Sequence, residues 1–232
     1  MSSNCIMVPQ WTPVIQDPSF ADVSLLLPFD SFPFTDVKGH TVNNLNSTLT
    51  TANTAYGGAA TFNGIDTALR IPAAADLAMG TGDFCQEARI RLASYPGAGQ
   101  QHILWTNAPS TNTAFANTTI GLNLQPGGNV RVQSSYAVFL SSATVLPLNQ
   151  ELHIAFSRIN GTLRLFINGV EDGAAASSHN FSELTEVMIG KEAFNSNNVG
   201  ATMNGQISEL RFTKGNGRYS GGFAVPSAFP TA

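Results

Sequence analysis

The side chains best suited to chemistry in this 232-residue chain are a few acidic residues between apolar segments. Four of them carry hard oxygen ligands of the kind that Ca²⁺ prefers and stand in or beside predicted loops: Asp30, Asp66, Asp83 and Glu209. Asp36 offers the same chemistry, but its D-x-x-G-H turn with His40 indicates a structural hydrogen bond. No cofactor is expected, and calcium is the metal these residues would suit best. The alternative is that each carboxylate caps a turn or pairs locally.

Catalytic patterns are missing from the sequence. A retaining glycosidase needs two carboxyl groups about 5–5.5 Å apart, and no E-x-D-x-x-E string places such a pair on one strand. Glu183 and Glu186 are three residues apart, which puts them on opposite faces of a strand. The four histidines lack zinc-site spacing, and no G-x-S-x-G, P-loop or EF-hand motif occurs. The sequence therefore predicts a protein that is not an enzyme.

Composition and charge exclude several kinds of partner. Only 11% of the residues are charged, against about 25% in an average protein. The net charge is −4 and the 11 basic residues are scattered, so we expect no nucleic acid partner. The sequence contains no run of about 18 apolar residues, so we expect no membrane insertion. Prolines interrupt the first 20 residues, which do not resemble a secretory signal. Synthesis in a reducing cytosol favours free thiols at Cys5 and Cys85 over a bridge between them.

The elements that must position these residues are short strands. Between Glu151 and Gly173, apolar residues alternate with others in two segments, each followed by an Asn-Gly pair that suits a tight hairpin turn. About a dozen such strands predict an all-β fold, a jelly-roll β-sandwich of two antiparallel sheets. We expect Trp105 in the core, and between the sheets Phe62, Ile71, Phe84, Phe166 and Leu210. A short turn is predicted within Ala73–Met79.

The composition divides the chain into two segments. Residues 1–21 contain three prolines and little alternation, which indicates an extended arm, and residues 22–232 form one sandwich domain. The arm exposes apolar side chains that we expect to dock on another subunit: Ile6, Val8, Trp11, Ile15 and Phe20. The alternative is that the arm packs back on its own domain.

Several motifs then occur in a familiar order: Leu25–Asp30 (LLLPFD), Tyr56–Gly64 (YGGAATFNG), Gly80–Phe84 (GTGDF), Leu163–Val170 (LRLFINGV) and Asn204–Gly215 (NGQISELRFTKG). Over residues 22–230 this series resembles the concanavalin A-like (laminin-G-like) jelly-roll domains of tailed-bacteriophage virion proteins. The chain has Asn63 where relatives often carry an acidic residue after the Phe. It has Ile207-Ser208-Glu209 where relatives often show Ile-Asp before the last acidic position. These departures weaken the calcium site that the resemblance would imply.

The resemblance implies a non-enzymatic virion structural protein, made in the host cytoplasm and carried on the phage particle as a capsid decoration or tail-associated subunit. Its partners would be other virion proteins, in a homo-oligomer or a symmetric lattice. The alternative is a carbohydrate-binding module at a tail fibre or tail tip that recognises a host-surface glycan. Sugar binding would call for aromatic stacking platforms, and the candidates are Tyr95, Trp105, Tyr136 and Tyr219.

Overall fold

The fold was determined as a computed structural model, which describes residues 16–51, 57–107, 118–134, 137–182, 186–192 and 201–232. Within these ranges the chain forms fifteen strands, numbered β1 to β15 in chain order, and two short 3-10 turns at Phe20–Asp22 and Ala75–Leu77. The second turn confirms the one predicted within Ala73–Met79. No helix in these ranges combines the length and the apolar character needed to cross a bilayer.

Sheet A contains eight strands: β1 (Val23–Leu27), β3 (Thr48–Thr50), β4 (Ala59–Asn63), β6 (Phe84–Leu92), β11 (Glu151–Ile159), β12 (Thr162–Ile167), β13 (Val170–Ala176) and β15 (Asn204–Lys214). Their order is β13-β12-β11-β6-β15-β4-β3. The long strand β15 pairs with β6 on one side. On the other side of β15, its first residues pair with β4 and its last residues pair with β1. Two short strands therefore lie end to end along this side of β15.

Sheet B contains seven strands: β2 (Asn43–Leu45), β5 (Ala68–Ile71), β7 (His102–Asn107), β8 (Ile120–Leu124), β9 (Val130–Gln133), β10 (Val138–Ser141) and β14 (Val187–Ile189). Their order is β10-β9-β8-β7-β14-β5-β2. Every strand pairing in both sheets is antiparallel. The predicted sandwich of two antiparallel sheets is therefore confirmed.

The two hairpins predicted between Glu151 and Gly173 are present. Ile159 pairs with Thr162 around Asn160 and Gly161, whose φ values of 50° and 72° suit a two-residue turn. The other Asn-Gly pair of this region likewise joins β12 to β13. The Asn204-Gly205 pair behaves differently because it lies inside β15. Glycine is required there, since a Cβ at Gly205 would collide with the backbone carbonyl of Arg91.

The core lies between the inner faces of the two sheets. Phe62, Ile71, Phe84 and Leu210 are buried there as predicted. Trp105 is also in this core, and its indole Nε1 donates a hydrogen bond of 3.0 Å to Gln86 Oε1. An indole N–H needs such a partner when it is buried.

The prediction for Phe166 was wrong. Leu165 and Ile167 point into the core, so the strand alternation turns Phe166 to the outer face of sheet A. It is nevertheless buried, in a small cluster with Cys85 that packs against the aromatic rings of Tyr219 and Phe223. These rings belong to residues 216–232, called here the C-terminal strap, which covers this face. Cys85 is a free, fully buried thiol, and Cys5 lies outside the described residues.

The described part of the predicted arm packs on its own domain. Asp17 is buried, and its backbone N–H donates a hydrogen bond of 3.1 Å to the carbonyl oxygen of Ala232. Phe20 is partly buried against a cluster formed by Val23, Leu26 and Phe229, as the alternative expected, and its docking on another subunit stays a prediction. The other predicted docking residues lie outside the described ranges: Ile6, Val8, Trp11 and Ile15.

Candidate functional site

The four calcium candidates lie at separate places. Asp30 is exposed after β1. Asp66 accepts side-chain hydrogen bonds from Asn63 and Asn46, and the Asn63 bond lowers the pKa of Asp66 below its usual value. Asp83 accepts the backbone N–H of Asn160.

Glu209 is the fourth candidate, and it is buried against sheet A. Its Oε2 accepts a hydrogen bond of 2.7 Å from Arg89 Nε, and its Oε1 accepts the backbone N–H of Phe229. Burial raises the pKa of Glu209, although both bonds favour the carboxylate. In the part of the chain that the structure describes, no three His, Cys, Asp or Glu side chains come together as metal ligands. The four candidates therefore lie apart within the described residues, and three of them accept hydrogen bonds from protein partners.

The expected structural hydrogen bond of His40 is present. Asp36 Oδ2 accepts the backbone N–H of His40 and lies 2.6 Å from its ring Nδ1. Asp36 Oδ1 accepts the backbone N–H of Leu26, which lies in β1. This carboxylate therefore fastens the D-x-x-G-H turn to sheet A and has a structural role.

A cluster of titratable side chains lies on the outer face of sheet A, beneath the C-terminal strap. We call Asp17, Glu87, Arg211 and Arg218 the buried ion cluster. Arg211 lies 2.8 Å from Glu87 and 3.0 Å from Asp17, and Arg218 donates hydrogen bonds of 3.1 and 2.7 Å to the two Asp17 oxygens. The strap residues Tyr219 and Phe229 close over it, Tyr219 donating to Glu87 and Phe229 packing on Arg211. The cluster ties the chain ends to sheet A.

The outer face of sheet B carries an open pocket, positioned by β7, β8 and β9. A bulge in β7 sends both Leu104 and Trp105 into the core, which leaves Ile103 and Thr106 on the outer face. On β8 the inward Leu122 and Leu124 leave Asn123 facing outward between them, in register with Ile103.

This pocket has a volume of about 170 Å³ and is lined mostly by residues with polar side chains. Its described lining combines three amides, three hydroxyls, one aliphatic side chain and one carboxylate: Gln101, Asn123, Gln133, Thr106, Thr119, Ser134, Ile103 and Glu192. Gly121 lies between Thr106 and Gln133 across the strands, and a Cβ there would lie 2.6 Å from Thr106 Oγ1. The lack of a side chain at Gly121 keeps this part of the face open.

Hydrogen bonds fix the rim of the pocket and leave one atom of its wall without a partner. Gln101 Oε1 accepts hydrogen bonds of 3.3 Å from Gln125 and 3.2 Å from Gln133, which orients both amides. Asn123 is only 5% exposed, and its Oδ1 has no hydrogen-bond partner among the residues that the structure describes. A buried, unsatisfied carbonyl oxygen is unfavourable and calls for an explanation.

The lining offers polar groups and one apolar side chain to a ligand. Amides and hydroxyls can donate to and accept from the hydroxyl groups of a neutral ligand, and Ile103 offers an apolar contact. Glu192 is the single carboxylate among the described lining residues, whereas glycoside hydrolysis uses two. Sequence reasoning missed this set. Its one visible signal was a polar Asn123 next to Gly121 within an otherwise apolar strand.

The three aromatic candidates that the structure describes do not form a stacking platform. Trp105 is in the core, Tyr95 donates its hydroxyl to the carbonyl oxygen of Leu146, and Tyr219 is stacked on Phe223 at 3.5 Å within the strap. Tyr136 lies outside the described residues. Recognition in this pocket would therefore rest on hydrogen bonds rather than on the three described aromatic rings.

Solved structures share this fold at low sequence identity. The binding domain of Paraclostridial Mosquitocidal Protein 1 matches with a TM-score of 0.67 and 10% identity, over 90% of this chain and 50% of that chain. Domain 4 of AbnA, an extracellular GH43 arabinanase from Geobacillus stearothermophilus solved with arabinotriose, matches with a TM-score of 0.61 and 19% identity, over 84% and 93%. Trypanosoma rangeli sialidase with 2,3-difluorosialic acid matches with a TM-score of 0.64 and 13% identity, over 86% and 32%.

The chain thus spans half of the mosquitocidal-protein chain and about a third of the sialidase chain. At these identities the likeness shows the fold alone. No curated protein matches the sequence. A family profile does match, over residues 40–215, which is most of the sandwich. The chain therefore belongs to the concanavalin A-like lectin/glucanase superfamily.

Proposed function

We propose that this protein is a non-catalytic carbohydrate-binding module that holds a neutral glycan in the outer-face pocket of sheet B. The observation that carries the proposal is Asn123, whose buried Oδ1 lacks a protein partner at the wall of a pocket rich in amides and hydroxyls. A sugar hydroxyl would donate to this oxygen and remove the cost of leaving it unsatisfied. Domain 4 of AbnA, which shares the fold, was solved with arabinotriose, and this supports the same class of ligand.

The size of the pocket agrees with this role. Its volume of about 170 Å³ is below the roughly 300 Å³ at which pockets for drug-sized ligands begin. It would hold about one sugar unit of a chain, the rest of which would extend into solvent. Weak binding per site is then expected, because few ligand atoms are buried.

The test is a glycan array followed by titration calorimetry with the best neutral oligosaccharide. Replacing Asn123 by Ala should weaken binding at least tenfold. Asn43→Ala is the matched control. Asn43 pairs with the outward-facing Arg70, so it lies on the same outer face of sheet B, but its strand β2 is at the sheet edge far from the pocket. Equal binding by the wild type and Asn123→Ala would reject this site. Release of reducing ends from the bound glycan would reject the non-catalytic role.

The place on a phage particle remains a proposal from the sequence, supported by the order of the motifs from Leu25–Asp30 to Asn204–Gly215. Cosedimentation with particles that lack the protein would test it. The truncation should remove residues 1–15 alone, because a cut at residue 21 would also remove Asp17 from the buried ion cluster. Failure of both the full chain and the truncated chain to sediment with particles would reject the virion role.

A further inference from the structure

A second pocket lies on the outer face of sheet A, beyond the part that the strap covers. Its volume is about 260 Å³, and its polar lining comes from three adjacent strands and one loop: Thr61, Arg91, Asn204, Gln206 and Asn149. Gln206 of β15 is in register with Thr61 of β4 on one side and with Arg91 of β6 on the other. Because paired residues share a face of the sheet, these three side chains form one row.

Arg91 differs from the other arginines on this face. Arg89 pairs with Glu209, and Arg211 pairs with Glu87. Arg91 is half-buried, and within the described residues its guanidinium makes no hydrogen bond and no ion pair. Its donors are therefore available to a ligand.

The nearest acidic residue to consider is Glu151, which is in register with Arg91 on β11. Glu151 Oε2 accepts a hydrogen bond of 3.1 Å from Ser208 Oγ, at the bulge of β15. Its negative charge stands beside the pocket, so it should weaken the binding of an anion.

Two buried polar atoms of the same row also lack a hydrogen-bond partner within the described part of the chain. They are Thr61 Oγ1 and Gln206 Oε1, on either side of one strand pairing. Such groups are rarely left unsatisfied without a reason, and a hydroxylated ligand in the pocket would supply the missing hydrogen bonds. The amide of Asn204 is already oriented by its hydrogen bond of 2.9 Å to Ser94 Oγ.

We infer that this pocket binds an acidic sugar, with the ligand carboxylate on Arg91 and the ring hydroxyls on Thr61, Gln206 and Asn149. A guanidinium offers two parallel N–H donors that match a carboxylate. The hydroxyl and amide side chains around it suit the polar ring that carries the acid. The inference does not rest on the proposed neutral-glycan site, since it concerns the opposite sheet and a ligand of different charge.

The test uses glucuronate as the probe and glucose as its neutral counterpart, with chemical-shift titration of the ¹⁵N-labelled full chain. Glucuronate should shift the amide signals of Arg91, Gln206 and Thr61, and glucose should not. Arg91→Gln should weaken glucuronate binding at least tenfold. Glu151→Gln should tighten it severalfold, because it removes the neighbouring negative charge.

Asn123→Ala, on the other sheet, should leave glucuronate binding unchanged, so that failure at one site is distinguishable from failure at the other. The Thr61→Val variant tests the pocket without altering its charge and should weaken binding as well. Binding that survives Arg91→Gln would overturn the inference, as would equal shifts with glucose. Acetate that binds as tightly as glucuronate would also overturn it, because the sugar ring would then contribute nothing.

Discussion

Glu87 of β6 and Arg211 of β15 lie directly opposite each other, with Arg211 Nη2 2.8 Å from Glu87 Oε1. Neither side chain is more than 3% exposed. Glu87 Oε2 lies 2.9 Å from His153 Nε2, and Tyr219 of the strap donates to the same oxygen. The Glu87 carboxylate on β6 thus joins β15 and β11 of sheet A to the C-terminal strap.

The protein should lose stability in acid through Glu87. Burial works against the charged carboxylate, but Arg211, His153 and Arg218 outweigh it and lower the pKa of Glu87 to about 2 from an ordinary 4.5. A lowered pKa stabilises the folded state above the ordinary value, and this contribution disappears as the pH falls toward 2. Urea denaturation should show a loss on the order of 3 kcal/mol from this group between about pH 5 and pH 2.

Glu87→Gln serves as the control for that prediction. The variant should be less stable at neutral pH, by about 3 kcal/mol, because it removes one of the two carboxylates that pair with buried Arg211. Its stability should then depend less on pH in the acidic range. An unchanged acid-induced loss in Glu87→Gln would show that other carboxylates are responsible.

Asp17→Asn should destabilise the fold by about 2 kcal/mol. Asp17 receives hydrogen bonds from Arg211 and Arg218, and the neutral amide would leave both cations undercompensated. Asp22→Asn is the matched control, because Asp22 is exposed five residues later. Equal stability of the two variants in urea denaturation would mean that the cluster does not depend on Asp17.

Arg158→Met should cost about 3 kcal/mol. The Arg158 guanidinium donates hydrogen bonds of 2.6–2.9 Å to the carbonyl oxygens of Gly80, Gly82 and His179, and it lies about 5 Å from the rings of Phe84 and Phe181. Met would keep the packing but would remove this donor from the three carbonyl oxygens, of which that of Gly80 also accepts the backbone N–H of Phe181. Arg131→Met, at an exposed position of β9, should change the unfolding free energy little. A loss below about 1 kcal/mol for Arg158→Met would contradict this role.

Asn123→Leu should separate function from stability. Leucine has a similar size and removes a buried oxygen that has no partner, so the unfolding free energy should stay the same or rise by about 1 kcal/mol. Glycan binding should be lost at the same time. If binding persists, or if the variant is destabilised by several kcal/mol, Asn123 has a structural role instead.

Much of the fold could be predicted from local pattern. The hairpins around Asn160-Gly161 follow from alternation and turn chemistry within a few residues of each other. The outward position of Phe166 and the need for glycine at Gly205 do not follow from local pattern, because the neighbours of both residues are remote in sequence. Phe166 is covered by Phe223 of the strap, and Gly205 packs against the backbone of Arg91.

The candidate site was harder to predict for the same reason. Glu209 looked available for calcium, but its partner Arg89 is 120 residues away in the chain. Alternation indicates that Asn123 and Arg91 leave the core. Alternation does not show which part of the outer surface the strap covers. That coverage decides whether an outward polar side chain forms a salt bridge, contacts water or is available to a ligand.

The hydrogen bond between Asp17 and Ala232 has a mechanical consequence. A chain attached at residue 17 and a chain attached at residue 232 would leave the folded unit at nearly one point. Tension applied through both ends would therefore peel the strap and the buried ion cluster away from sheet A first. The hydrogen bonds between the strands would bear load only after these contacts had broken. The strap and the buried ion cluster would therefore be the first part of the sandwich to unfold under force.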